Sequence, residues 1–208
     1  MIGVVVATER EADAVRGTLP RCATLFTAGV GKVNAATAAM SALWIGVDAI
    51  VNAGLAGGVA EDARVGTAWC VSDAVQYDCD LSAVDGTEPG TVAGRRSPFF
   101  RLLRVDGLPT ARCGTADRFG GGTRDTGDIA LLARLGCCLR DMECAAVAQV
   151  CERVRKPIYA VKVVSDVGRF PKPTAEQYRE NMERCLARLV DAVRLAFGQA
   201  VADAEKAD

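Results

Sequence analysis

Short apolar runs rich in β-branched residues alternate along this chain with alanine-rich stretches of helical period, and nothing else constrains its fold as strongly. "IGVVVA" (Ile2–Ala7) reads as a buried strand, and "EREADAVRGTL" follows as a helix. "ATLFTAG" reads as a strand, "KVNAATAAMSALWIG" as a helix closed by Gly46, and "DAIVNAG" as a strand leading into a turn at "LAGG". "TAWCVSDAVQYD" and "TARCGTAD" read as strands, "DIALLARLG" as a helix, "CCLRD" as a short strand and "ECAAVAQVCERVRK" as a helix. "PIYAVKVVSDV" is a further strand, and a long last helix begins at the cap residue Thr174. Strands regularly separated by helices imply a largely parallel central sheet in one α/β domain spanning 1–208. The glycine- and proline-rich stretch Asp85–Pro98 is the one long irregular segment expected.

Charge and residue usage exclude several functions. The 208 residues carry 25 basic and 26 acidic side chains, a net charge of -1, so no nucleic-acid partner is expected. No apolar run reaches the roughly 18 to 20 residues that span a bilayer, so no membrane partner is expected either. The start "MIGVVVATERE" lacks the basic region of a signal peptide, which makes the cytoplasm the expected location. Nine cysteines, an odd number with no C-x-x-C pair, read as reduced core residues. There is no histidine. Histidine-based nucleophilic triads and histidine metal ligands are therefore excluded, and acid–base chemistry falls on carboxylates, lysines, tyrosines or cysteines. No metal site is expected. Neither "AGVGK" nor "AGLAGG" has the spacing of a nucleotide phosphate loop or a dinucleotide fingerprint, and no cofactor is expected.

In a sheet of this kind, ligands gather beyond the carboxyl ends of the parallel strands. The residues falling there are Glu9 and Glu11, Gly29–Lys32, Asn52–Gly58, Asp117–Phe119, Asp141–Glu143 and Ser165–Asp166. Each has an ordinary structural reading. The glycine motifs make tight turns, Asp166 starts a turn, and Phe119 fills a core. Glu143 opens a helix, where an acid in the first turn complements the helix dipole. Their convergence on one end of one sheet is what points to a site.

In order along the chain, "ATERE", "AGVGKVNAA", "VNAGLAGGV", "YDCDLSAVDGTEPGTVAG", "GTADRF", "DMECAAVAQVC" and "VKVVSDV" resemble the nucleoside phosphorylase family. They are most similar to its hydrolytic branch, the 5′-methylthioadenosine/S-adenosylhomocysteine nucleosidases. The resemblance implies a three-layer α/β/α fold with a mixed, largely parallel sheet. It also implies hydrolysis of the N-glycosidic bond of 5′-substituted adenine nucleosides (methylthioadenosine, S-adenosylhomocysteine, 5′-deoxyadenosine), with release of adenine. By position, Asp166 is the implied general acid at purine N7 and Glu11 the activator of water. Glu143 would bind the ribose hydroxyls with Met142 against the sugar, and Phe119 would stack on the base. Gly57 would approach the ligand through its backbone, and Val30, Lys162 and Ser165 complete the implied substrate-binding set. A homodimer is implied, with the Asp80–Gly94 loop at its interface.

The chain also departs from that pattern. The space Gly17–Ala28 is too short for the family's usual N-terminal hairpin, Leu55 stands where a serine is common, and Lys162 replaces an arginine. Val84, Thr87, Ala93 and Ala175 stand near positions where bulkier groups line the 5′ pocket. Three alternatives stay open: a phosphate-dependent phosphorylase, an aminofutalosine-type nucleosidase, and a non-catalytic nucleoside-binding paralogue. Val47–Gly58 contains no basic residue to hold phosphate, which favours hydrolysis over phosphorolysis.

Overall fold

The computed structural model describes residues 1–121, 125–168 and 172–207. Eight strands form one mixed sheet: β1 (Ile2–Val6), β2 (Ala23–Thr27), β3 (Ala49–Gly58), β4 (Ala68–Gln76), β5 (Phe99–Arg101), β6 (Thr110–Thr115), β7 (Cys137–Asp141) and β8 (Ile158–Val167). The helices are α1 (Glu9–Arg16), α2 (Lys32–Trp44), α3 (Ser82–Asp85), α4 (Asp125–Arg134), α5 (Cys144–Arg153) and α6 (Thr174–Ala207). Pairing is parallel for β1–β2, β1–β3, β3–β8, β4–β6 and β6–β7. It is antiparallel for β3–β7, β4–β5 and β4–β8.

The sheet closes on itself through β3. One edge of β3 pairs with β1 over Ala49–Asn52 and then, at Gly57 and Gly58, with β7. Its other edge pairs with β8 along nearly its whole length. The sequence suggested a turn at "LAGG", but the strand runs through it to Gly58, with a register shift between Ala56 and Gly57. The glycines serve close packing here. A Cβ on Gly54 would lie 2.9 Å from Glu11 Oε1, and one on Gly58 would lie 2.7 Å from Val167 Cγ1 and 2.9 Å from the Ala63 carbonyl. β5 and α3 are elements that the irregular reading around Asp85–Pro98 did not anticipate.

Helices cover both faces. On one, α2 packs Ala35, Ala39 and Ala42 with Cys144–Ala148 of α5, small side chains that let the two helices sit close. On the other, α6 turns Met182, Cys185, Leu186, Leu189, Val193, Ala196, Phe197 and Ala200 onto β3 and β8. Those residues recur every three or four positions, the stripe of a helix buried on one side. The sequence suggested Thr174 as a cap, but the helix already includes it, since the Pro173 carbonyl accepts from Glu176 N and Gln177 N; the Thr174 hydroxyl donates to the Gly120 carbonyl at 2.6 Å. That bond ties α6 to the loop after β6.

Gly58→Ala should destabilise the protein by about 1–3 kcal/mol, the usual cost of overpacking a tight core. Urea denaturation monitored by circular dichroism would show it, and an unchanged midpoint would contradict the packing described.

Candidate active site

A cavity opens at the carboxyl ends of β1, β3, β7 and β8, and four carboxylate residues line it: Glu11, Asp141, Glu143 and Asp166. Val30, Gly57, Phe119, Met142 and Ser165 line it too. Lys162 is not among the lining residues. Nor are Val84, Thr87, Ala93 and Ala175, which therefore do not shape this wall within one chain.

Glu11 is held by the first turn of α1. Thr8 and Glu11 form a capping box, in which the Thr8 hydroxyl accepts from Glu11 N and Glu11 Oε2 accepts from Thr8 N. Oε2 also accepts from Ala7 N at 3.0 Å, and Oε1 accepts from Leu55 N at 2.9 Å. The bond to Leu55 is possible because Gly54 leaves room. One carboxylate thus joins the start of α1 to β3 while its remaining edge faces the cavity.

Asp141, Lys162 and Thr115 form the base of the site. Lys162 is 1 % exposed, and its Nζ lies 2.7 Å from Asp141 Oδ2. Thr115 donates to Asp141 Oδ1 at 2.6 Å, and Cys144 N donates to Asp141 Oδ2 at 2.8 Å. Ala145 N in turn donates to the Thr115 hydroxyl. Burial is the largest single influence and would lower the Lys162 ammonium, but the acidic groups around it, Asp141 first among them, together outweigh burial and the net shift is upward. Lys162 can reach a ligand only through these groups, not by touching it.

This arrangement corrects the sequence reading of Glu143 as an acid whose place is in the first turn of a helix. Glu143 occupies the cap position of α5, yet its side chain makes no capping bond. Asp141 and Thr115 satisfy the first N–H groups instead. Glu143 Oε1 accepts from Gly31 N at 2.9 Å. Gly31 can aim that N–H because its φ is +103°, a conformation that favours glycine. Burial, reinforced by Asp141, pushes the Glu143 carboxyl up to about 7, while Lys162 and the Gly31 N–H pull it back.

Asp166 is buried at the end of β8, and Ser165 donates to its Oδ1 at 2.8 Å. The Ser165 hydroxyl also lies 3.3 Å from the Ala56 carbonyl, which orients it. Phe119 is 49 % exposed at the cavity mouth and meets Tyr178 edge to face, with ring centroids 5.6 Å apart. Tyr178 and Arg140 line the cavity without having been singled out from the sequence. Arg140 lies within the short strand β7, and only its pairing with Gly57 reveals where it goes.

Fold and site together define an α/β protein with a carboxylate-lined cavity at its strand ends. A family profile described as Phosphorylase superfamily matches residues 3–195. The chain is 33% identical over 145 residues to a 5′-methylthioadenosine nucleosidase of Arabidopsis thaliana, spanning 68% of this chain and 52% of that one, about half its length. It is 31% identical over 186 residues to a 5′-methylthioadenosine/S-adenosylhomocysteine nucleosidase of Geobacillus kaustophilus, spanning 81% of this chain and 77% of that one. A Helicobacter pylori 5′-methylthioadenosine/S-adenosylhomocysteine nucleosidase, solved with butyl-thio-DADMe-Immucillin-A, has the same fold. Its TM-score is 0.84 at 18% identity, covering 95% of this chain and 97% of that one. The chain belongs to the phosphorylase superfamily.

Lys162→Met should cost about 3–5 kcal/mol of stability, because it leaves a buried carboxylate uncompensated. Adding Asp141→Asn should recover part of that loss. A single variant as stable as the parent in urea denaturation would contradict the role given to the pair.

Proposed function

We propose that this chain, as one nucleoside phosphorylase-like domain over 1–208, is a purine nucleosidase that hydrolyses 5′-substituted adenine nucleosides and releases adenine. What carries the reading is the convergence of Glu11, Glu143 and Asp166 on one cavity, in a chain whose relatives are named as nucleosidases. Glycosidic cleavage needs an acid for the leaving group and a base for the water. Asp166 donates its proton to purine N7 as the C1′–N9 electron pair moves onto the base. Glu11 takes a proton from the water that bonds to C1′. Glu143 accepts from the ribose hydroxyls, and its charge favours the cationic transition state. Met142 and Val30 pack on the sugar, Phe119 stacks on the base, and Ser165 orients Asp166. Lys162 supports the site from below through Asp141.

We read the functional unit as a homodimer in the cytoplasm. Val33, Met40 and Trp44 form an exposed apolar stripe on α2, and Val84 stands exposed on α3 within the Asp80–Gly94 loop. Burying such a stripe against a second copy removes apolar surface from water. All nine cysteines are free, as is usual in a reducing compartment. Among the described residues, no helix is long and apolar enough to cross a membrane. Analytical ultracentrifugation should give twice the chain mass, and a fully active monomer would refute the dimer.

Base release from methylthioadenosine should proceed equally with and without phosphate. Asp166→Asn should lower kcat about 10²–10⁴-fold while nucleoside binding persists. A loss below tenfold would remove Asp166 from the acid role.

The Glu143 carboxyl is raised, so it gains the ionised form needed for the ribose only as pH climbs. Turnover should therefore increase with pH, kcat/KM showing an acid limb with a midpoint near 7. Glu143→Gln should abolish that limb along with most activity. An acid limb that persists unchanged in the variant would assign it to another group.

A further inference from the structure

Arg140, Gly57 and Asp166 form one row across three strands. Gly57 faces Arg140 on β7 and Asp166 on β8. Side chains of facing residues on neighbouring strands lie on the same side of a sheet. Gly57 has none, and a Cβ there would sit 2.9 Å from Arg140 Nε and 3.2 Å from Asp166 Oδ2. Arg140 therefore lies over the bare Gly57 backbone toward the Asp166 carboxyl. Its guanidinium fills the place that a side chain on Gly120 would occupy, since a Cβ on Gly120 would fall within it. Gly120 directly follows Phe119, the residue placed against the base. Arg140 is 6 % exposed and lines the cavity. The row brings a cationic fork to the edge of the cavity where Asp166 meets N7.

That edge of a purine differs between bases. Adenine shows the N7 acceptor and the 6-amino donor, whereas a 6-oxopurine shows two acceptors, N7 and O6. A guanidinium only donates, and its planar fork matches paired acceptors. Beside N7 it opposes the 6-amino group and complements O6. Asp166 supplies the opposite character, an oxygen that accepts from a 6-amino group while its acid form donates to N7. We infer that the base pocket takes 6-oxopurine nucleosides as well as 6-aminopurine ones, with Arg140 donating to O6. This rests on the purine nucleosidase reading above and extends its substrate class. The reaction is otherwise the same: water bonds to C1′, the C1′–N9 bond breaks, and the departing base takes a proton. A departing 6-oxopurine also spreads negative charge onto O6, which Arg140 stabilises.

The test compares kcat/KM for 5′-methylthioinosine and 5′-methylthioadenosine on the wild type, Arg140→Met and Gly120→Ala. Calorimetry on the same proteins measures binding of free hypoxanthine and adenine. Gly120→Ala displaces the guanidinium by occupying its place, so it carries the test if Arg140→Met fails to fold. The wild type should cleave the two nucleosides within about tenfold of each other. Both variants should shift the ratio toward adenine by about tenfold or more, in turnover and in binding, the scale of one lost base contact. A wild-type preference for adenine above about a thousandfold would overturn the inference. So would variants in which both bases lose equally, since that would make Arg140 a structural support only. If neither nucleoside is cleaved, the nucleosidase reading fails, and the hypoxanthine-to-adenine binding ratio still decides the role of Arg140.

Discussion

The buried pair between Lys162 and Asp141 is the interaction on which the rest of the site depends. It stands where β6, β7, β8 and α5 meet, and every oxygen of Asp141 is engaged. Burying two charges costs several kcal/mol each before their attraction is counted, and only a fully hydrogen-bonded pair offsets that. Here Thr115 and the Cys144 N–H provide the remaining bonds. Because Asp141 and Thr115 satisfy the start of α5, Glu143 has no capping duty and turns into the cavity. Its carboxyl then sits in a place dry enough, and close enough to Asp141, to be raised to about 7. The acid of a single ion pair thus anchors the start of one helix and adds to the burial that raises the group beside it.

β3 is the second constraint. It has to border β1, β7 and β8, and glycine at 54, 57 and 58 makes that possible by giving space to Glu11, Arg140, Asp166 and Val167. The same strand that holds the sheet together therefore brings three charged side chains to one cavity. Placement of a side chain over a neighbour's bare backbone cannot be achieved with an alanine at Gly57, where a Cβ would press on Arg140 and Asp166 at once.

The alternation of apolar and alanine-rich segments made most strands and helices legible, because β-branched runs and helical stripes reflect burial directly. β7 matched its sequence reading residue for residue. The extension of β3 through "LAGG" was hidden, since glycine reads locally as a turn and only the length of β8 beside it keeps it extended. β5 is three residues long and owes its existence to β4, so no local pattern announces it. In the site, Glu11, Glu143 and Asp166 were visible as acids at strand ends. Which acid caps α5 was not, because Asp141 and Glu143 compete for the same N–H groups and distant Thr115 and Lys162 decide between them. Arg140 was invisible for a similar reason: its neighbour across the sheet is 83 positions away in the chain.

Such long reach affects how the molecule is made. Ser165 meets Ala56 across 109 positions, and β3 completes its pairing only once β8 has arrived. Contacts of that sequence separation slow folding, because loop closure must be achieved before they form. During synthesis, β1, α1, β2, α2 and the first half of β3 can assemble locally, while the edge of β3 that receives β8 stays open. The ribosome must deliver four-fifths of the chain before that edge is covered. Until then it is an unpaired, apolar strand of the kind that chaperones recognise and that associates with its own copies. The strand end that lines the cavity is therefore also among the last to be covered as the chain emerges.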